Sequence, residues 1–212
     1  TPLIGMGQPN LAYFEPAWAD EVALVMRWAF DYMQQPDGSS VYIRLSTRVI
    51  PQMPRENDHW QADALKGGYW LRKPGPQADA ALVFTGAIAP EVLSAWEQLA
   101  EDIPGIGLLN VTSPDLLHRD WSQRHASRWV DGQLMGCHAE HLLSALASGA
   151  GLVTVIDGSP GRCLGWAPCA ACWSARVGLA ALAKRAICRI CTAPIGWMQM
   201  PLSMPRQSFS FN

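Results

Sequence analysis

The 212 residues predict an α/β chain, a doubly wound and mostly parallel sheet preceded by a smaller α/β unit. Three observations carry this. Continuous apolar runs of strand length recur as AALVFT at 80–85, GLLNVT at 107–112 and GLVTVID at 151–157, the pattern of strands buried on both faces. Between them lie stretches whose apolar residues return every three or four positions, the spacing of helices with one buried face. Strands alternating with helices imply parallel β-α units with helices covering both faces of the sheet.

In chain order, residues 1–10 are a Gly- and Pro-containing loop. Residues 11–15 continue it, and a helix follows: Pro16 suits a first turn, and Glu15, Asp20 and Glu21 favour the positive end of the helix dipole. Trp18, Val22, Val25, Met26, Ala29 and Met33 then share one face, expected to be buried. Asp37, Gly38 and two serines break the pattern, and 41–45 resumes as a strand. The stretch 51–63 is polar with two prolines and reads as a linker. Around Tyr69 and Trp70, 66–76 reads as a short edge strand and turn. Pro90 opens a helix to Glu101 whose Val92, Leu93, Trp96, Leu99 and Ala100 form one face. The stretch 113–128 is polar, anchored by Leu116, Leu117 and Trp121, and 137–147 is a helix carrying Leu142, Leu143 and Leu146.

The words GMGQPNLAYFEPAWADE, VYIRLSTR, GGYWLR, VFTGAIAPEVL and GLLNVTSPDLL, in this order and spacing, resemble the homodimeric E1 component of pyruvate dehydrogenase and related 2-oxo acid dehydrogenases. These are thiamine diphosphate enzymes of the transketolase superfamily. The resemblance covers about the first three quarters of the chain, and as an ordered set it is more specific than any single motif. It implies that residues 1–50 are the closing β-α-β part of a pyrimidine-binding domain, 51–65 a linker and 66–160 a transketolase C-terminal-like domain. It also implies oxidative decarboxylation of a 2-oxo acid in the parent enzyme, with thiamine diphosphate and magnesium as cofactors. In that family the diphosphate and magnesium are held by a separate domain through a GDG-type motif, and the activating Glu lies further upstream. Neither segment occurs within these 212 residues, so the isolated chain is expected to bind no cofactor and to lack thiamine-dependent activity. Relatives acting on pyruvate carry a His in the loop after the strand at 41–45. Here that passage reads STRVIPQMPREND and has none.

With 49% apolar and 16% charged residues the chain can bury a core. A net charge of -2 gives neither a basic footprint for nucleic acid nor a polybasic membrane anchor. No apolar run reaches the ~18 residues of a transmembrane helix, and no secretory signal opens the chain, so a cytoplasmic protein is expected. The chain begins at Thr1 inside a family motif, so a piece of a larger enzyme is expected. Apolar faces that the rest of that enzyme would cover favour self-association as the expected partnership.

From Gly161 the character changes. Five of the six cysteines fall at 163–191, and Cys169, Cys172, Cys188 and Cys191 make two CxxC pairs with the spacing of a four-thiolate zinc site. A shifted reading frame competes with that reading, and isolated thiols are a third. Single-codon residues fix part of the shifted translation: the triplets spanning Trp197–Met198, Met198–Gln199 and Met200–Pro201 must be GAT, GCA and GCC, hence Asp, Ala, Ala. Compatible choices elsewhere give LPDLYRAYRLDADAIVDAA, which resembles the end of the E1 family. No Asp or Glu follows Asp157. Residues 161–212 are therefore read as an out-of-frame tail foreign to the fold, and no metal is assigned to it.

No residue is assigned as catalytic or cofactor-binding. Tyr13, Phe14 and Trp18 are candidates for the family's cofactor pocket, but aromatic residues at such a junction are read first as core. Arg44 and Arg48 are read as solvated or ion-paired rather than anion-binding. His138 and His141, three apart on a helix with no third ligand, are read as a hydrogen-bonded or solvated pair. No G-x-S-x-G elbow is present, so a serine hydrolase is not indicated.

Overall fold

A computed structural model describes Gln8 and residues 10–76, 78–131, 136–157 and 173–178, with only the backbone path described at 125–131 and 173–178. The first unit is β1 (Leu11–Phe14), α1 (Ala19–Met33) and β2 (Ser40–Ile43), and its two strands pair in parallel, Leu11 opposite Ser40 and Phe14 opposite Ile43. The apolar run LAYF is thus a strand, as the family resemblance implied, where the residues alone read as loop. Its brevity hid it: four residues fit a strand or a loop equally well.

Four further helices follow: α2 (Trp60–Leu65), α3 (Ala89–Asp102), α4 (Pro114–Asp131) and α5 (His138–Leu143). With them come β3 (Tyr69–Arg72), β4 (Ala80–Thr85), β5 (Gly107–Asn110), β6 (Gly151–Ile156) and β7 (Trp173–Gly178). These strands form a second sheet in the order β3-β5-β4-β6-β7. β5, β4, β6 and β7 run parallel, and β3 lies antiparallel on the outer side of β5. This is the expected doubly wound, mostly parallel sheet with its short edge strand.

Alternation along the strands shows that both faces are covered. In β4, Ala81 and Val83 enter the cluster built with Leu117, Leu142 and Leu146 of the α4–α5 side. Ala80, Leu82 and Phe84 enter the cluster built with Ile88 and Val92 and with Trp96 of α3. Leu108 and Leu109 divide in the same way. The side-chain period of two sends neighbours to opposite layers, so a strand between two helical layers is apolar throughout.

Three readings of the residues need correction. The stretch 51–63 read as linker contains the start of α2, a helix of six residues. The polar stretch 113–128, given no element from the residues, lies in α4 from Pro114 onward, a proline at a position where a missing N–H costs nothing. Pro16 precedes α1 rather than opening it: the helix starts at Ala19, and Met26 and Met33 are 42% exposed instead of buried. The buried residues of α1 are Glu21, Val25 and Ala29, four positions apart.

Of the stretch read as out of frame, the backbone of β7 runs parallel to β6, Gly151 opposite Trp173 and Ile156 opposite Gly178. Such pairing uses backbone donors and acceptors along an open edge and makes little demand on side chains. Cys163, Cys169, Cys172, Cys188 and Cys191 lie outside the described residues. Among the described residues no helix is long and apolar enough to cross a membrane.

Candidate functional site at the junction of the two sheets

The carboxyl ends of the parallel strands are where open α/β sheets bind ligands, and here those ends bring charged residues together. Glu15 follows β1, Arg44 follows β2, Gly86 follows β4 and Asp157 follows β6. Arg44 joins the two sheets by pairing with Glu15 on its own unit and, at 3.1 Å, with Asp157 of the second. Glu15 is 2% exposed and also accepts from the Tyr13 hydroxyl. Its backbone N–H donates to the Thr112 carbonyl at 2.7 Å. Gly86 has φ +67, and a Cβ there would lie 2.6 Å from the Glu15 side chain. Only glycine combines that backbone with that approach.

A second polar cluster lies deeper. Glu21, in the first turn of α1, is fully buried. Its carboxylate accepts from the Tyr69 hydroxyl at 2.5 Å, from Asn110 Nδ2 at 2.6 Å and from the Ala17 N–H at 2.7 Å. Tyr69 and Asn110 stand opposite each other across β3 and β5, so sheet register places both donors at one point. Arg55, from the segment between the units, donates to Asp20 at 2.5 Å and to the Tyr69 hydroxyl at 2.9 Å, with Glu21 at 3.5 Å. Its guanidinium lies over the rings of Trp60 at 4.2 Å and Trp18 at 5.1 Å. Such stacking contributes about 0.5–2 kcal/mol per desolvated contact.

Burial pushes the Glu21 carboxyl above its ordinary range. The Tyr69 and Ala17 hydrogen bonds and the Arg55 charge oppose that rise without cancelling it. Tyr69 is also pushed up, first by burial and then by the neighbouring Glu21. Burial is the largest single influence on Arg55 and opposes its charge. The Asp20 hydrogen bond, with Tyr69 and Glu21, outweighs it and holds the guanidinium above its usual range.

The sequence-derived residues fall as follows. Tyr13, Phe14 and Trp18 are buried core residues at 0%, 0% and 2% exposure, which is the reading preferred for them. Arg44 is ion-paired, and Arg48 pairs with Glu91 on the surface. His138 and His141 stack with ring centroids 6.2 Å apart, and His138 Nε2 hydrogen-bonds the Gly68 carbonyl at 2.9 Å. Reading the sequence missed Glu21, Arg55, Tyr69 and Asn110 as one cluster. The signal for Glu21 was present: with Val25 and Ala29 it follows a four-residue spacing on the buried face, and an acid on an apolar stripe demands a partner.

At this junction Arg44 is engaged by two carboxylates and Arg55 by Asp20. Among the described residues no group of three or more His, Cys, Asp or Glu could hold a metal ion. Glu15 and Glu21 are closed off from solvent, and both clusters act as joints between the units.

The fold defines a class first: it is that of part of a transketolase. A Pichia stipitis transketolase variant in complex with fructose 6-phosphate superposes with TM-score 0.56 at 20% identity, covering 84% of this chain and 22% of that one. A split-gene transketolase, described as an inactive beta4 tetramer, gives 0.54 at 17% identity, covering 82% and 50%. The Leishmania mexicana transketolase gives 0.51 at 13%, covering 84% and 22%. In sequence, the chain is similar to the pyruvate dehydrogenase E1 component of Mycolicibacterium smegmatis, 28% identical over 162 residues. That match covers 73% of this chain and 17% of the relative, so the chain spans under a fifth of the protein it resembles. No family model matches. The E1 resemblance read from the motifs is borne out by this relative and by the transketolase fold.

Proposed function

We propose that this chain is the C-terminal portion of a thiamine diphosphate-dependent 2-oxo acid dehydrogenase E1-like enzyme. In the assembled parent it takes part in oxidative decarboxylation of pyruvate or a related 2-oxo acid, and by itself it is inactive. One observation carries the reading: a similarity confined to a small share of an E1 component spans two α/β units joined by a buried polar junction whose arginines are ion-paired. The chain then supplies a rigid support and contact surfaces. Incubating it with pyruvate, thiamine diphosphate, magnesium and an artificial electron acceptor should give no turnover above the protein-free rate. Saturable, pyruvate-dependent reduction of the acceptor would contradict the reading.

A second reading, a non-catalytic self-association module, is favoured by the exposed face of α1. Met26, Phe30 and Met33 lie along one helix stripe with 42%, 60% and 42% exposure, and Tyr42 on β2 is 39% exposed. An apolar stripe of this kind marks a contact surface.

A further inference from the structure

A cleft of about 780 Å³ is lined on one bank by the unbroken run 69–73 and on the other by the unbroken run 53–57. A strand that turns a face to a cleft lines it with every second residue, whereas one that turns its edge lines it with consecutive residues. The cleft therefore runs along an edge of β3. It is the outer edge, because among the described residues β3 pairs only with β5 and closes the sheet order. β3 meets β5 through Tyr69, Trp70 and Arg72 with a register shift between Trp70 and Arg72, and the N–H and C=O groups of β3 that β5 does not take face the outer side. The facing stretch 53–57 makes no backbone–backbone hydrogen bond to any described residue. Both banks thus carry backbone groups able to bond to something placed between them.

The charges beside this edge are uneven. Arg72 and Lys73 are exposed and have no ion-pair partner among the described residues; Arg72 rests 5.9 Å from the Trp96 ring centroid. Of the other charged residues in the lining, Arg55 is engaged by Asp20, and Asp63 pairs with Lys66, which leaves Glu56 as the free acid. We propose that an extended, acidic peptide segment of a partner protein adds to the outer edge of β3 and lies in this cleft. Its backbone pairs with β3 and its carboxylates meet Arg72 and Lys73, the β-strand addition mode of peptide recognition. Lys73 and Pro74 stop a partner strand at the end of β3, so the paired length is about 13 Å, four residues. A lysine and a proline at a strand end ordinarily discourage edge pairing. Here the covering segment 53–57 stands off the edge, and the space left between them is what a strand would fill.

The probe is the capped peptide Glu-Val-Glu-Thr-Glu-Val, titrated into the 212-residue chain by calorimetry. Its lysine-for-glutamate counterpart and two versions N-methylated at alternate residues, one in each phase, serve as controls. The expected result is saturable binding of the acidic peptide, abolished by N-methylation in one phase only. It should weaken tenfold or more in the double variant Arg72→Ala, Lys73→Ala, whose folding is checked by circular dichroism. Absence of saturable binding up to about 1 mM, or equal binding of the lysine peptide, overturns the proposal. Binding that both N-methylated forms retain would show an anion site without strand addition and overturns it too.

Discussion

Removing the Glu21 carboxylate by Glu21→Ala tests the junction where its chemistry is most demanding. The substitution takes an acceptor from four buried donors: the Tyr69 hydroxyl, Asn110 Nδ2, the Ala17 N–H and, at 3.4 Å, the Trp18 N–H. Partial compensation is available. Tyr69 and Asn110 can keep each other at 3.2 Å, and Arg55 retains Asp20 at 2.5 Å. That leaves the Tyr69 hydroxyl and the Ala17 and Trp18 N–H groups without this acceptor, at about 1–3 kcal/mol each, while the cost of a desolvated carboxylate disappears. The net loss is about 3 kcal/mol, a large fraction of the 5–15 kcal/mol that holds a domain together. Urea unfolding should show a lower midpoint at unchanged slope, and thermal unfolding a Tm lower by about 6–12 °C. A loss below about 1 kcal/mol would refute the reasoning, because a surface carboxylate costs no more than that to remove.

Three further outcomes are expected. Because the Glu21 pKa is raised in the folded state, the folded chain binds this proton more tightly than the unfolded chain. The stability it contributes is therefore fully present below the ordinary pKa of 4.5 and is lost as pH rises through the raised value. The stability of the wild type relative to Glu21→Gln should fall across that window in pH-dependent urea titrations, and a difference that grows with pH would contradict the assignment. Gly86→Ala forces a side chain into φ +67 and against Glu15, and should cost about 1–3 kcal/mol or more by the same assay; a neutral result would show that the loop is not held there. Phe30→Asp, on the exposed stripe of α1, should leave stability within about 0.5 kcal/mol and reduce self-association in sedimentation velocity. An unchanged association constant would remove that stripe from the contact.

Strands β4, β5 and β6 were legible because burial on both faces makes them continuously apolar, a signal independent of their partners. β1 was not, since four residues carry no period. The helix at 114–131 was hidden by its composition: its described part buries Pro114, Asp115 and Leu117, and a mostly polar helix gives no stripe to count. On α1 the face read as buried holds for Trp18, Val25 and Ala29 but not for Met26 and Met33, which are exposed, while Glu21 faces in. Hydrophobicity alone cannot select an acid for the core. What selects it is a set of donors that meet only in three dimensions, Tyr69 and Asn110 being 41 residues apart in sequence and paired across a sheet. The ion pair of Arg44 with Asp157 is likewise 113 residues apart and invisible to any local pattern.

Titration calorimetry with thiamine diphosphate and magnesium on the 212-residue chain tests the central claim most directly. If these residues form a structural portion of an E1-like enzyme whose cofactor is held elsewhere, the heats should equal those of dilution, with no saturation. Saturable binding at micromolar concentration would contradict it, because a diphosphate and metal cradle would then have to form where Arg44 and Arg55 are engaged by carboxylates.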